Sequence, residues 1–176
     1  TKMYATLLAC MKLTGEGKLD PEARVAQYLP GFTGGGREKI RVRDLMTHSA
    51  GFQPVVRFYR WQTGEPYSRE RKRTMHLLEK LPLQYPTGSK TLYSDVDYML
   101  LGAVVEKITG ERLDTYAEKQ IYAPLGLRHT CFNPLQKGIL PQQIAATEVC
   151  GNTRSGMVDF PGVRTYTLRG EVQDES

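Results

Sequence analysis

The chain has few of the residues that bind metals or form disulfides. Its 176 residues include three cysteines and three histidines, which are widely scattered. The cysteines are odd in number, and neither they nor the histidines have the spacing of metal ligands. We therefore predict no metal site and no cofactor. Cys10 falls on an apolar helical face and is interpreted as a small buried hydrophobe.

Long hydrophobic runs are also missing. No apolar run reaches the roughly 18 residues that a membrane helix needs. The sequence opens on Thr1 and shows no signal-peptide pattern. We expect it to be a piece of a longer protein, whose targeting information lies outside it. The content of hydrophobic residues (40%) and charged residues (24%) is ordinary for a soluble domain.

The formal net charge is +5, and much of it comes from one short segment, 69–73. We interpret that segment as a solvated helix face. Tyr67 is the only aromatic residue beside it, so the pattern does not predict nucleic-acid binding. A second interpretation, attraction to an anionic cell-wall polymer or lipid surface, stays open.

Hydrophobic periodicity predicts a mostly helical chain. The first helix shows an apolar repeat at Tyr4, Leu7, Leu8 and Met11. The predicted helices are 1–14, 21–28, 43–47, 69–81, 97–108 and 113–122. Segments 144–149 and 166–172 are predicted to be extended. We place a boundary near residue 130, between a helical domain (1–130) and a loop-and-strand segment (131–176).

One stretch, Tyr93-Ser94-Asp95, puts a phenol, a hydroxyl and a carboxylate where a loop enters the most hydrophobic helix. Loops held by rigid elements often carry functional groups. A purely local interpretation is also available. In it, Ser94 is the N-cap of the helix and Asp97, three residues on, is its capping-box partner.

Lys2 and five local matches that follow it in order resemble the class C-like branch of the serine β-lactamase and penicillin-binding protein family. Lys2, at the start of the first helix, fits the Lys of Ser-x-x-Lys, and Tyr93-Ser94-Asp95 fits Tyr-x-Asn. The other matches are 42–52 to a Leu-Leu-x-His-x-Ser-Gly stretch, 86–89 running into Tyr93, 101–110, and 124–127 with Thr130. The resemblance covers essentially the whole chain, but only the middle of the family's full-length chain. It implies an α+β fold, of which this chain carries mostly the helical part and a few short strands.

The resemblance implies acyl transfer to a serine two residues upstream of Thr1. Lys2 and Tyr93 would be the catalytic bases, and a lysine in a first helical turn is expected to lose its proton easily because the helix dipole disfavours its charge. Asp95 would be the substrate-binding residue. As a carboxylate it cannot donate as the usual Asn does, so we expect it to pair with Lys2. His48 has no acidic neighbour in sequence and is interpreted as structural. The Lys-Thr-Gly or His-x-Gly motif does not occur in the chain.

The full-length parent is thereby expected to be a serine D-alanyl-D-alanine carboxypeptidase or related hydrolase. Its substrates would be peptidoglycan peptides or β-lactams in the periplasm or cell envelope, and a membrane anchor on the parent stays open. The alternatives are a catalytically silent wall-binding or regulatory relative and an esterase on the same fold. We expect this chain alone to be inactive. We also expect it to self-associate, because Leu7, Leu8 and Met11 would lack part of their cover.

Overall fold

The computed structural model describes residues 1–56, 58, 67–149 and 164–172. The chain divides into two units. The first comprises Thr1–Val56 and Pro66–Arg128, and the second comprises Arg57–Glu65 and His129–Ser176. The sequence-based boundary near residue 130 stays a prediction. The aromatic and basic segment 54–66 lies largely outside the described residues.

The first unit is built from helices, numbered here in chain order. Two of them change type along their length: α1 is π-helical over Lys2–Leu7 and α-helical over Leu8–Gly15, and α6 is α-helical over Leu113–Ala117 and π-helical over Glu118–Tyr122. The others are α2 (Val25–Tyr28), α3 (Val42–Met46), α4 (Tyr67–Leu78) and α5 (Asp95–Thr109). These bounds agree with the predicted helices to within a few residues, except that only the last turn of 21–28 is helical.

The core of this unit is organised around α5, which packs against α1, α2, α3 and α6. Its apolar stripe is fully buried at Val96, Leu100, Leu101, Val104 and Val105. The helix ends at Gly110, whose left-handed φ of +70° suits a residue without a Cβ. The predicted core of α5 is therefore confirmed, except that Ile108 is only half-buried.

The apolar repeat at Tyr4, Leu7, Leu8 and Met11 is not the buried face of α1. The buried side chains are Ala5, Ala9, Cys10 and Leu13, together with Thr6. By contrast, Tyr4 and Met11 are 73% and 60% exposed, and Leu7 and Leu8 are half-buried. The helix carries two apolar stripes, and a periodicity does not tell which one is buried. The buried stripe consists mostly of small residues, which let neighbouring helices approach closely.

The burial predicted for Cys10 is confirmed, and it raises the pKa of the thiol to about 12. The exposed face of α1 carries Met3, Tyr4 and Met11. Apolar patches of this kind favour association. Self-association of the chain stays a prediction.

The second unit contains two short strands, β1 (Ala146–Glu148) and β2 (Leu168–Arg169), paired antiparallel with an irregular register. Both lie inside the predicted extended segments. Short 3₁₀ turns occupy Pro134–Lys137 and Pro141–Gln143. Helix far exceeds strand over the described ranges, so the prediction of a mostly helical chain with a few short strands is confirmed. In those same ranges, every helix is too short or too polar to cross a membrane.

Gly51 lies where two loops of the first unit approach each other closely. Its φ is +116°, and a Cβ placed on it would lie 2.5 Å from the backbone oxygen of Tyr85. The amide of Gln84 also donates to the Gly51 carbonyl, at 2.8 Å. Any side chain at position 51 would therefore push these loops apart.

We predict that Gly51→Ala lowers the free energy of unfolding by roughly 3 kcal/mol or more, from backbone strain plus overpacking. Gly88→Ala is the matched control, since Gly88 also has a positive φ (+79°) but nothing lies within 4 Å of an added Cβ. It should cost about 1–2 kcal/mol, the backbone term alone. Urea denaturation of both variants measures the difference. Equal losses would contradict the close approach at Gly51.

Candidate active site

The backbone on both sides of Tyr93 is anchored to one residue, His48. The amide of Leu92 donates to the His48 carbonyl oxygen at 2.8 Å, and the amide of Ser94 donates to His48 Nδ1 at 3.2 Å. The imidazole also lies against the Tyr93 ring, with 4.8 Å between centroids. The position of Tyr93 is thus set by contacts with a loop far away in sequence.

The start of α5 is held in the same way. The buried hydroxyl of Ser94 donates to the Gln53 carbonyl at 2.6 Å, and the amide of Asp95 donates to the Pro54 carbonyl at 3.1 Å. Ser94 does occupy the N-cap position, but its side chain makes no capping hydrogen bond, and the carboxyl group of Asp97 bonds His48 instead. The capping-box interpretation is therefore wrong. Tertiary partners satisfy both side chains.

Lys2, Tyr93 and Asp95 come together at one place. Lys2 Nζ donates to Asp95 Oδ1 at 2.8 Å and lies 5.2 Å from the centroid of the Tyr93 ring. The predicted pairing of Asp95 with Lys2 is confirmed. The Lys2 ammonium is thus within the roughly 6 Å of the Tyr93 ring over which a charge acts strongly on a titratable group. Tyr93 is 55% exposed, which leaves it accessible to another molecule.

The expectation that Lys2 loses its proton easily is wrong in this structure. Burial alone would lower the pKa of Lys2, but hydrogen bonds to Asp95 and then Tyr93 outweigh it, and the net pKa lies above the ordinary 10.5. The helix dipole is a weak effect beside a carboxylate in direct contact. Lys2 is consequently an ammonium at neutral pH, and at this site it supplies a positive charge.

His48 does have an acidic neighbour, although not one close in sequence. Its Nδ1 lies 2.8 Å from Asp97 Oδ2. Sequence reasoning assigned Asp97 to a helix cap and so missed this pair. A signal was present, because Asp97 occupies the same stripe of α5 as Leu100, Leu101 and Val104, at i+3, i+4 and i+7. A carboxyl group on a core-facing stripe needs a buried partner.

A family model described as Beta-lactamase matches residues 1–165. The chain belongs to the β-lactamase family. Two curated relatives are each 51% identical over 182 aligned residues, which cover 99% of this chain. One, from Escherichia coli (strain K12), is provisionally named D-alanyl-D-alanine carboxypeptidase. The other, from Bacillus subtilis (strain 168), is named N-acetylmuramyl-L-alanine amidase.

A solved structure described as a penicillin-binding protein homolog from Caulobacter crescentus has a similar fold. Its TM-score is 0.55 at 26% identity, over 71% of this chain and 32% of that one. The two curated relatives are much longer than this chain, which covers 42% and 41% of their lengths. As a member of the β-lactamase family, the chain has a fold similar to that of a penicillin-binding protein homolog.

Asp95→Asn should lower the pKa of Lys2. The variant removes the hydrogen bond and the charge that oppose the effect of burial on the ammonium. Titration of the Lys2 Nζ signal by NMR in the two proteins measures the change. As a control, Asp114→Asn removes a carboxylate paired with Arg112 on α6, and should leave Lys2 unchanged. An unchanged Lys2 pKa in Asp95→Asn would mean that the 2.8 Å pair does not persist in solution.

Proposed function

We propose that this chain belongs to a serine hydrolase that cleaves D-alanyl-D-alanine peptides of peptidoglycan through an acyl-enzyme. The observation that carries the proposal is the proximity of Lys2 to Tyr93: Lys2 Nζ lies 5.2 Å from the centroid of the Tyr93 ring, which is accessible to solvent. The curated name of the Escherichia coli relative supports the carboxypeptidase reaction and supplies the substrate class. The serine is proposed to lie two residues upstream of Thr1, where Ser-x-x-Lys would place it.

The proposed first step is attack of the serine oxygen on the carbonyl carbon of the penultimate D-alanine. The proposed reactive form has Tyr93 as a phenolate, its own proton released to solvent, beside the Lys2 ammonium, which stabilises that negative charge. The serine proton passes to the phenolate oxygen, which becomes a neutral phenol. The peptide C–N bond then breaks, and the proton goes on to the amine of the leaving D-alanine. Water hydrolyses the ester by the same route. This division of roles follows from the raised pKa of Lys2.

Labelling with a fluorescent penicillin tests the proposal, with intact mass as the second readout. The full-length protein should form one covalent adduct, and replacement of the upstream serine by Ala should abolish it. Tyr93→Phe should slow acylation by about 10²–10⁴-fold, the usual contribution of a positioned general base. The 176-residue chain alone should remain unlabelled. An adduct on it would show that the nucleophile is misplaced.

Asp95 is proposed to set substrate preference. Its carboxylate accepts hydrogen bonds but cannot donate one to a substrate amide carbonyl, and it is already engaged by Lys2. In the full-length protein, Asp95→Asn should therefore shift the ratio of kcat/KM values toward β-lactams. Rates on a β-lactam and on a D-alanyl-D-alanine peptide measure the shift, with Asp114→Asn as control. Unchanged rates on both would mean that Asp95 contacts neither substrate.

We further propose that the protein works in the periplasm or cell envelope, where peptidoglycan is accessible. The names of the two curated relatives, both of which refer to cell-wall chemistry, support this location. The competing function is a silent wall-binding or regulatory protein. Peptidoglycan binding by a full-length protein that no penicillin labels would favour that second function.

A further inference from the structure

His48 contacts Tyr93 and both of its neighbours in the chain, which no sequence pattern indicated. Its carbonyl and its Nδ1 accept from the amides of Leu92 and Ser94, and its ring lies between Tyr93 and Tyr98, with centroids 4.8 and 5.1 Å away. The residue also has a φ of +55°, a left-handed conformation that is costly for a residue with a side chain. Strain of this kind persists where surrounding contacts over-determine it.

The hydrogen bonds of His48 determine where a proton lies. Backbone amides only donate, so the Ser94 amide, directed at Nδ1, requires a lone pair on that nitrogen. Asp97 Oδ2 lies 2.8 Å from the same nitrogen. Since Nδ1 then carries no proton, it can form a hydrogen bond with Oδ2 only if the proton between them is on the Asp97 oxygen. Asp97 is then a neutral carboxylic acid that donates to Nδ1, and the ring proton of His48 is on Nε2.

The surroundings of the pair favour this assignment independently. The Asp97 side chain is 1% exposed, and its second oxygen, Oδ1, accepts no hydrogen bond within the described part of the chain. An ionised carboxylate would be very costly there. Burial raises the pKa of Asp97 to about 8. Burial, and then the charge of Lys2, lower the pKa of His48, so both members of the pair are neutral at neutral pH.

We propose that the neutral Asp97–His48 pair is a positioning element for Tyr93. Asp97 donates a hydrogen bond to the imidazole of His48, whose ring contacts the Tyr93 ring and accepts from the Ser94 amide, while the His48 carbonyl accepts from the Leu92 amide. The effect on catalysis rests on the function proposed above for Tyr93. The protonation of Asp97 and the orientation of the Tyr93 ring do not depend on that function. Neither Asp97 nor His48 contacts the reacting atoms in this scheme.

The hydrogen bond from Asp97 to His48 Nδ1 should be lost when Asp97 ionises. A carboxylate cannot donate to Nδ1, so His48 would have to move its proton to Nδ1, where it would oppose the Ser94 amide. The held conformation of 92–94 should therefore be lost as pH rises through about 8. Other titratable groups surround the pair and must be considered in any pH profile: Lys2, Tyr85, Tyr93, Asp95 and Tyr98.

Infrared and NMR spectra of the full-length protein test the protonation directly. At neutral pH the wild type should show the C=O stretch of a protonated carboxyl group, absent in Asp97→Asn, and a His48 signal with the proton on Nε2. The free energy of unfolding should also depend on the ionisation of Asp97. Asp97 ionises near 3.8 when exposed but near 8 when folded, so the wild type should lose stability relative to Asp97→Asn as pH rises between these values.

Kinetics test the positioning. Asp97→Asn keeps a donor toward Nδ1 and does not titrate. Its acylation rate should therefore stay within about 2-fold of the wild-type rate, a change worth well under 1 kcal/mol. It should also stay active above the pH at which the wild-type rate declines. Asp97→Leu removes the donor, and kcat should fall by about 100-fold with little change in KM, as expected for a misplaced group. Crystal structures should show the Tyr93 ring kept in Asp97→Asn and displaced in Asp97→Leu.

Distinct results would overturn distinct claims. A missing carboxyl band at neutral pH, or Asp97→Asn as impaired as Asp97→Leu, would overturn the neutral pair. An unmoved Tyr93 ring in Asp97→Leu would overturn the positioning role. If Asp97→Leu does not fold, the carboxyl band of the wild type and the pH profile of Asp97→Asn still test whether the pair is neutral. If penicillin labels no form of the protein, the proposed function fails, while the spectra and the ring position still test the pair.

Discussion

The site depends on the hydrogen bonds that tie residues 92–95 to segment 48–54. Four backbone or buried side-chain donors are satisfied there, and each would be costly to leave unpaired. Because α5 continues directly from this point into the core, the anchored residues stand on a rigid support. Gly51 makes the arrangement possible, since only a residue without a Cβ allows the Tyr85 backbone to approach so closely.

Two carboxyl groups in the first turn of α5 lie in different surroundings. Asp95 is 26% exposed and is paired with the Lys2 ammonium. Asp97, two residues on, faces the core and is held neutral by burial. Such divergence between neighbouring titratable groups is a common way of assigning distinct roles within one site. Here one carboxyl group fixes the charge of Lys2, and the other is proposed to fix the position of Tyr93.

The sequence was sufficient for most of the fold of the first unit. The buried stripe and the C-terminal glycine of α5 are local patterns, and both were predicted from periodicity and turn chemistry. It was insufficient for α1, where two apolar stripes compete. There the choice depends on how closely α5 approaches, and that distance is a property of the packed core. Ala5, Ala9 and Cys10 were buried together with Leu13, whereas Met3, Tyr4 and Met11 were left exposed.

For the site, the sequence by itself determined which chemical groups are present and that Lys2, Tyr93 and Asp95 belong together, because motif order is a property of the chain. Only the tertiary structure decided the protonation of Lys2 and of Asp97. The raised pKa of Lys2 comes from Asp95 and Tyr93, and that of Asp97 from burial under the loop that carries His48. A pKa depends on distances and on solvent exclusion, which arise only when segments far apart in sequence meet.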